Sequence, residues 1–528
     1  MRRVSAAVAA TALLVAAAFG CAPTKEEATS GETADDSMTI ATTSDVVNFN
    51  PLIGNSRTDA WITDLMYPRM LSIGADGQTQ AALATKWGYK SPTTGYWEIR
   101  DDMKWSDGEA LTANDVAYTI NAIKKDKPAG VIYGQMANVK SASAVSKTRV
   151  EIELTRPDAT VVPEIGFWMN VVPQHVFEKA GSVAKFANAS DWVSAGPYRL
   201  TKVNKGQSYT FKRVEPYPLA KGDTPTLERI VFRVIPDVNS EILALKNGDV
   251  DVIANTLPPA QVKNLSKASG VKVQKVPGLG YAHMTYNMER EPLDDVKVRQ
   301  ALAHTVDYKA IRKVVLQNQG VSTGSCPIPP VLKQYENPDC EEYSYDIAEA
   351  KKLLREAGYG PGGKSLDLTL IYALQDPVTA QWASIVKSGA TKAGITIKLR
   401  GMDRNTYLSK TDAGEYDIYA GNFAIMDDPP TNMTLTYLPD GAINYSKVDD
   451  PKLSALIRKA QATTDEEQQV ELIGEASTRV RENVYDNVMY TQNLYVAHRS
   501  NWTGFTVQPS ELLSIVNPES LANVKATG

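Results

Sequence analysis

Two short motifs in this chain of 528 residues have spacings that could support catalysis. Residues 358–365 match the phosphate-binding pattern GxxxxGK[ST], which binds phosphate where a strand leads into a helix. Here a helical pattern precedes the loop and a strand pattern follows it, so the required order is reversed. Ser182 with Lys185, and Ser384 with Lys387, have the SxxK spacing of a lysine-activated serine, but the companion SDN and KTG motifs are absent. We therefore predict that the protein is not an enzyme.

The composition also argues against a metal centre, a bound cofactor or a nucleic-acid partner. The chain has four histidines and three cysteines, too few for a His-rich or Cys-rich metal site. Its formal net charge is −5, whereas phosphate backbones require a basic face. We expect no cofactor, no metal and no nucleic acid.

The N-terminus predicts export. Arg2 and Arg3 precede an apolar run over residues 4–20, which is typical of a secretory signal peptide and short for a membrane span. The residues up to Cys21 resemble a bacterial lipobox, which implies that Cys21 is acylated, palmitate included, and becomes the mature N-terminus. Residues 21–38 are polar and acidic, and we interpret them as a flexible tether.

The other two cysteines bracket a proline-rich loop. Cys326 and Cys340 have no further cysteine to compete with them, and an exported protein can oxidise them. A disulfide is the favoured interpretation, and two unpaired buried thiols are the alternative.

Strand patterns and helix patterns alternate along the rest of the chain. Several apolar runs alternate at period two, including residues 208–214, 229–235 and 366–372. Helices are predicted after Asp346 and Asp450, and the latter precedes a proline at the first helical position. Interleaved strands and helices imply an α/β or α+β architecture.

A long string in the middle of the chain resembles a known family. Residues 286–302, YNMEREPLDDVKVRQAL, are similar to the family-5 extracellular solute-binding proteins, the peptide- and nickel-type receptors of ABC importers. Shorter strings agree in the same order: residues 50–52, 105–116, 196–198, 245–251 and 416–418. The resemblance extends over about residues 39–510.

This resemblance implies an α/β fold of two lobes, like the type II periplasmic binding proteins, with a subdomain inserted in the first lobe. The expected segments are a signal peptide (1–20), a tether (21–38), first-lobe parts (39–70 and 191–275), the inserted subdomain (71–190), the second lobe (276–484) and a first-lobe closing segment (485–528).

Ligands of this family lie between the lobes, so the resemblance also implies a binding site. In its peptide binders an aspartate pairs with the α-ammonium of the ligand, but Ile425 takes that place here and Asn422 takes the place of a tryptophan. Asp427 could recover the role only in a rearranged loop. The residues expected at the cleft or hinge are Phe49, Asn50, Tyr286, Asn287, Asn422, Phe423, Ile425, Asp427 and Tyr490.

The expected function is that of a lipid-anchored receptor of an ABC importer. It would capture a peptide or related solute by hinge closure and deliver it to a membrane permease, as a monomer on the outer face of the bacterial cytoplasmic membrane. The departure at Ile425 leaves longer peptides, modified peptides, oligosaccharides and metal chelates open. A peptide-sensing receptor of the same fold is the alternative, and an exported SxxK enzyme is the remote one.

Overall fold

A computed structural model describes residues 36–527 except 54–55, 129–131, 133, 135, 361, 375, 424 and 511. The signal peptide, Cys21 and nearly all of the tether lie outside the described residues. The strands are β1 (Ser37–Thr42), β2 (Leu71–Ile73), β3 (Thr79–Ala81), β4 (Ala84–Ser91), β5 (Thr94–Ile99), β6 (Val139–Ala144), β7 (Arg149–Leu154), β8 (Tyr198–Asn204), β9 (Ser208–Arg213), β10 (Arg229–Val234), β11 (Val252–Ile253), β12 (Val271–Val276), β13 (Tyr281–Tyr286), β14 (Gly320–Val321), β15 (Leu366–Ala373), β16 (Ile395–Met402), β17 (Ile418–Phe423), β18 (Asp486–Gln492), β19 (Leu494–Arg499), β20 (Trp502–Thr503) and β21 (Lys525–Ala526).

Helices connect many of these strands. They are α1 (Arg57–Met66), α2 (Ala113–Asp126), α3 (Val161–Trp168), α4 (Gln174–Phe177), α5 (Val238–Asn247), α6 (Pro259–Leu265), α7 (Val296–His304), α8 (Tyr308–Ala310), α9 (Ile347–Glu356), α10 (Pro377–Ala393), α11 (Arg404–Asp412), α12 (Pro429–Tyr437), α13 (Pro451–Ala462), α14 (Glu466–Asn483) and α15 (Pro518–Asn523).

Two large sheets form the centres of the two lobes. The first-lobe sheet has seven strands in the order β12-β19-β11-β1-β10-β9-β8, and β1 runs parallel to both β10 and β11. The second-lobe sheet has six strands in the order β14-β18-β13-β17-β15-β16, with β15 parallel to β16 and to β17. The α/β class predicted from the sequence is confirmed.

The inserted region is built on a third sheet. Its four antiparallel strands have the order β4-β5-β7-β6, and α2 packs against them. Trp97 and Ile123 of this region belong to the same buried core cluster as Met38 and Phe232 of the first-lobe sheet. The insert therefore shares its hydrophobic core with the first lobe.

The chain passes between the two large sheets at two adjacent places. One crossing joins β12 to β13, and the other is Asn493 between β18 and β19. A Cβ added to Gly278 in the first crossing would lie 2.2 Å from the carbonyl oxygen of Gln492 beside the second. Asn493 is buried, and its amide donates to the carbonyl of Gln319. These packed crossings are the candidate hinge.

The pairing of β18 bears on the domain boundaries. This strand pairs with β13 and β14, so the predicted closing segment at 485 begins inside the second-lobe sheet and returns to the first only at β19. The remaining boundaries stay predictions.

Cys326 and Cys340 form a disulfide in the structure, with 5.4 Å between their Cα atoms. It closes the loop that leads from β14 towards α9.

Candidate functional site

The strand directions bring the loops of both lobes towards the hinge. In the first lobe, β1, β10 and β11 are parallel and end on the same side of the sheet. In the second lobe, β15, β16 and β17 also end together, beside the start of β13 and the end of β18. Ligands of parallel α/β sheets bind outside the carboxyl ends of the strands, so the space between these two edges is the candidate site.

Aromatic side chains line the edge of the second-lobe sheet. Phe423 at the end of β17 stacks on Tyr281 at the start of β13, with 5.5 Å between the ring centroids. Tyr490 pairs with Ala282 on the neighbouring strand and is buried, which raises the pKa of its hydroxyl well above the usual value. These packed rings form an aromatic surface at the edge of the second-lobe sheet.

Polar groups lie beside these rings. The exposed Asn422 donates from its amide to Asp376 at 2.6 Å, and Asp376 in turn accepts the first backbone amides of α10. The carboxylate of Asp376 therefore caps α10 and also orients the side chain of Asn422. The edge can thus offer a ligand both ring faces and hydrogen-bonding groups.

The inserted subdomain contacts the second lobe across the gap. The indole nitrogen of Trp168 donates to Asp427 at 2.8 Å. The side chain of Gln461 donates to Asp158 at 3.1 Å, and the backbone nitrogen of Ala159 donates to the carbonyl of Gln461 at 2.7 Å. These bonds join groups more than 250 residues apart in sequence. They hold the two lobes together in the arrangement described here.

Three carboxyl groups meet at this contact. Burial raises the pKa of Asp427 above its ordinary value, and burial raises the pKa of Asp428 to about 7. The like charges of Asp427 and of Asp158 from the insert contribute to this raised pKa of Asp428. The protonated forms of Asp427 and Asp428 are therefore favoured at this contact, to which the insert contributes the charge of Asp158.

The structure gives several predicted site residues internal partners. Asn50 is buried and donates to the carbonyls of Val183 and Phe186. Asn287 donates to the carbonyls of Gly414 and Tyr416. In these positions the amides hold loops within one lobe.

The other predicted residues are spread over both lobes. Phe49 is half-buried against Trp192 and Tyr209. Tyr286 is fully buried in the second-lobe core, and Ile425 is half-buried in a neighbouring cluster. Only Asn422, Phe423 and Tyr490 come together at one edge among the predicted residues, with Asp427 directed at the insert. Which residues contact a ligand stays a prediction.

Sequence reasoning missed the residues that join the insert to the second lobe. Trp168 and Asp158 of the insert and Gln461 of the second lobe match no motif, because their role depends on which surfaces meet in three dimensions. The only signal in the sequence was indirect: Asp427 and Asp428 are adjacent acids before a proline, and Asp428 caps α12.

Metal-binding and membrane-spanning features were also sought. Within the described part of the chain, no group of three or more His, Cys, Asp or Glu side chains could hold a metal ion. No described helix is long and apolar enough to cross a membrane. Ser384 of the SxxK motif is exposed and donates to the carbonyl of Ala380 within its own helix.

Comparison with known proteins decides the family. Residues 78–445 match the family model of the bacterial extracellular solute-binding proteins, family 5. The chain belongs to this family. The resemblance of residues 286–302 is thereby confirmed, and the activity to explain is solute binding.

Individual members of the family resemble large parts of this solute-binding protein. The dipeptide-binding protein of Escherichia coli K12 is 26% identical over 492 residues, covering 87% of this chain and 90% of the relative. Heme-binding protein A of Haemophilus influenzae is 30% identical over 355 residues, covering 65% and 62%. The crystal structure of the ABC transporter substrate-binding protein CtaP from Listeria monocytogenes superposes with a TM-score of 0.83 at 24% identity, covering 94% of this chain and 100% of that one. The predicted two-lobed fold is confirmed.

Proposed function

We propose that this protein is the substrate-binding receptor of an ABC importer, which captures a peptide or related solute between its lobes and delivers it to a membrane permease. The observation that carries the proposal is the pair of sheet edges facing each other across the two hinge crossings, bridged by the bond from Trp168 to Asp427. Contacts that exist only when the lobes meet can couple ligand capture to closure.

The chemistry of the second-lobe edge narrows the ligand class. Ile425 stands where peptide binders of the family carry the ammonium-binding aspartate, and its apolar side chain packs into a hydrophobic cluster. Asp427 is engaged by Trp168, and Asp376 by Asn422 and the start of α10. Recognition therefore rests on the backbone and side chains of the solute rather than on a free α-ammonium group.

Membrane attachment through Cys21 is the second part of the proposal. The acylated cysteine and the tether would keep the receptor beside its permease on the outer face of the cytoplasmic membrane. One acyl chain binds a bilayer only weakly, so stable attachment needs more than one. If Cys21→Ala leaves the processed protein membrane-bound, this part is wrong.

Binding is tested by thermal unfolding of the chain that starts at Ala22, screened against peptides, oligosaccharides and metal chelates. A ligand that binds only the folded protein raises its melting temperature. Each peptide is paired with its N-acetylated form, and we expect acetylation to weaken binding by less than about threefold, because no carboxylate is reserved for the ammonium group. Failure of every solute class to shift the melting temperature would refute the receptor proposal. A large loss of affinity on acetylation would refute only the proposal that the solute is recognised without its α-ammonium group.

A further inference from the structure

A second contact between the lobes lies at the turn between β2 and β3. A disulfide joins Cys326 to Cys340 and closes a loop of the second lobe, which we call the strap (residues 326–340). At the tip of the strap, Oε1 of Gln334 accepts a hydrogen bond of 2.6 Å from the side-chain amide of Gln78 in the turn. The two residues are 256 positions apart, so this bond joins the strap to the insert.

An apolar contact lies beside this bond. A Cβ added to Gly77 would lie 2.9 Å from Cδ2 of Leu332, so the leucine side chain packs directly on the turn. Gly77 is buried although both of its neighbours in the turn are exposed. Leu332 is buried in a core cluster of the second lobe, although the two residues that follow it are exposed. The turn and the tip of the strap therefore shield each other from water.

Hydrogen bonds to α14 hold the C-terminal part of the strap. The side-chain amide of Asn337 donates to the carbonyl of Gly474 and to the hydroxyl of Thr478, both at 2.9 Å. The hydroxyl of Tyr335 donates to Gln469 at 3.2 Å. The strap is therefore fixed to the second lobe while its tip reaches the insert.

A cavity of about 330 Å³ lies within the strap. Its lining residues fall between Ser322 and Glu341 and include both cysteines. Because the space inside the loop is not filled by other elements, the course of the strap depends on the bond between its ends as well as on packing. A small dithiol that enters this cavity can attack the disulfide through its thiolate.

We infer that the strap is a thiol-sensitive device that strengthens closure of the lobes. With the disulfide intact, the tip is held against the turn, and its two contacts with the insert stabilise the closed arrangement. Reduction breaks the sulfur–sulfur bond into two thiols, while a dithiol supplies the two electrons and two protons and itself becomes a disulfide. The strap then gains conformational freedom, and its tip holds the turn less firmly. This inference rests on the proposed closure over a solute and adds its regulation.

Hydrogen exchange tests the strap without any ligand. The chain from Ala22 is measured oxidised and after treatment with dithiothreitol, and the variant Cys326→Ala/Cys340→Ala should behave like the reduced protein. The backbone amides of Gly74 and Gly77 bond carbonyls within the turn between β2 and β3. We expect these amides to exchange at least about threefold faster once the disulfide is broken, because the turn loses the contact that covers it.

The turn between β8 and β9 is the internal control for this experiment. The backbone amide of Gln207 bonds the carbonyl of Asn204 there, and the described residues show no hydrogen bond from this turn to the strap. Its exchange should not change. Equal exchange of the turn between β2 and β3 in oxidised and reduced protein would overturn the inference. Faster exchange of both turns would also overturn it, since that would show a general loss of stability.

Two matched glycine variants test the effect on binding. Gly77 and Gly206 have φ values of 80° and 76°, which asparagine tolerates. A Cβ at Gly77 meets the strap at 2.9 Å, whereas a Cβ at Gly206 lies 4.0 Å from the carboxylate of Asp45. For a solute that binds the cleft, reduction of the wild type and Gly77→Asn should each weaken affinity at least about threefold. Gly206→Asn should leave the affinity unchanged.

Thermal unfolding checks that both glycine variants are folded. An affinity that changes neither on reduction nor in Gly77→Asn would overturn the inference while the receptor proposal stands. Failure of every solute to bind would refute the receptor proposal instead, and the exchange measurement would still decide whether the strap holds the turn.

Discussion

At the scale of single residues, the contact between Trp168 and Asp427 is the point where closure can be measured. Its indole donates across the lobes, so Trp168→Phe should weaken binding of the cleft ligand by about tenfold, within the range of a lost hydrogen bond to a carboxylate. Trp502→Phe is the matched control, because Trp502 donates to Asp251 inside the first lobe at 2.9 Å. Calorimetric affinities that fall equally in both variants would contradict a role in closure.

The pKa values at the same contact predict a pH dependence. Burial raises the pKa of Asp427, and burial together with the charges of Asp427 and Asp158 raises the pKa of Asp428 to about 7. Because Asp158 belongs to the insert, we expect closure to add to the shift at Asp428 and to take up protons. This contribution is fully present below the ordinary pKa of an exposed aspartate, about 4, and is lost as the pH rises through about 7. As the pH rises from about 5.5 to about 8, the affinity should fall by at most about tenfold per pH unit. This holds for a ligand that has no positive charge at this contact.

Asp428→Asn provides the control for this pH dependence. Asparagine still caps α12, so the fold is kept while the titrating group is lost. Calorimetry over the same pH range should give a flatter profile for the variant. Identical profiles, or an affinity that rises with pH in the wild type, would show that this carboxyl does not titrate on closure.

Local residue roles could be read from the sequence, whereas contacts across the lobes could not. Asp346 and Asp450 cap helices as predicted, because a cap depends on a few neighbouring residues. Asn50 and Asn287 were expected at the cleft or hinge, yet they bond carbonyls within their own lobes. A short polar side chain serves either purpose, and only its surroundings decide.

At the scale of elements, the disulfide fixes the loop between β14 and α9. The two cysteines are 14 residues apart, so removing both as Cys326→Ala/Cys340→Ala should lower the free energy of unfolding by about 3 kcal/mol in the chain-entropy model. Urea unfolding measures this, and the wild type in reductant should approach the variant. Equal stability of oxidised and reduced wild type would contradict the prediction.

The hinge crossings depend on a glycine. Because a Cβ at Gly278 would lie 2.2 Å from the carbonyl oxygen of Gln492, Gly278→Ala should push the crossings apart and cost about 1–3 kcal/mol of stability. Gly474→Ala in α14 is the control, because the nearest atom is 4.0 Å from its added Cβ and alanine favours a helix. Denaturant unfolding should show a lower free energy of unfolding for Gly278→Ala and not for Gly474→Ala. A Gly278→Ala variant as stable as the wild type would contradict close packing at the hinge.

The sequence predicted individual strands and helices better than it predicted their arrangement in the sheets. The strands expected over residues 208–214, 229–235 and 366–372 are β9, β10 and β15, since alternation and β-branching mark them locally. Nothing in β18 itself shows that it belongs to the second sheet, because strand partners are chosen by tertiary packing.

At the scale of the whole molecule, two sheets joined at two packed crossings are the arrangement that the proposed closure requires. The insert shares its hydrophobic core with the first lobe and forms hydrogen bonds with the second. We therefore expect the insert to move together with the first lobe and to bond the second lobe on closure. The sequence implied this plan only through its family resemblance, because no local pattern marks a hinge.

The most direct test is native mass spectrometry of the chain from Ala22, purified without denaturant. Solute-binding proteins that close over a ligand release it slowly, so we predict one small-molecule adduct per chain. Denaturation should release the adduct, and Trp168→Phe should carry less of it. A wild-type protein that carries no adduct, and gains none after incubation with the solutes that the screen covers, would contradict capture between the lobes.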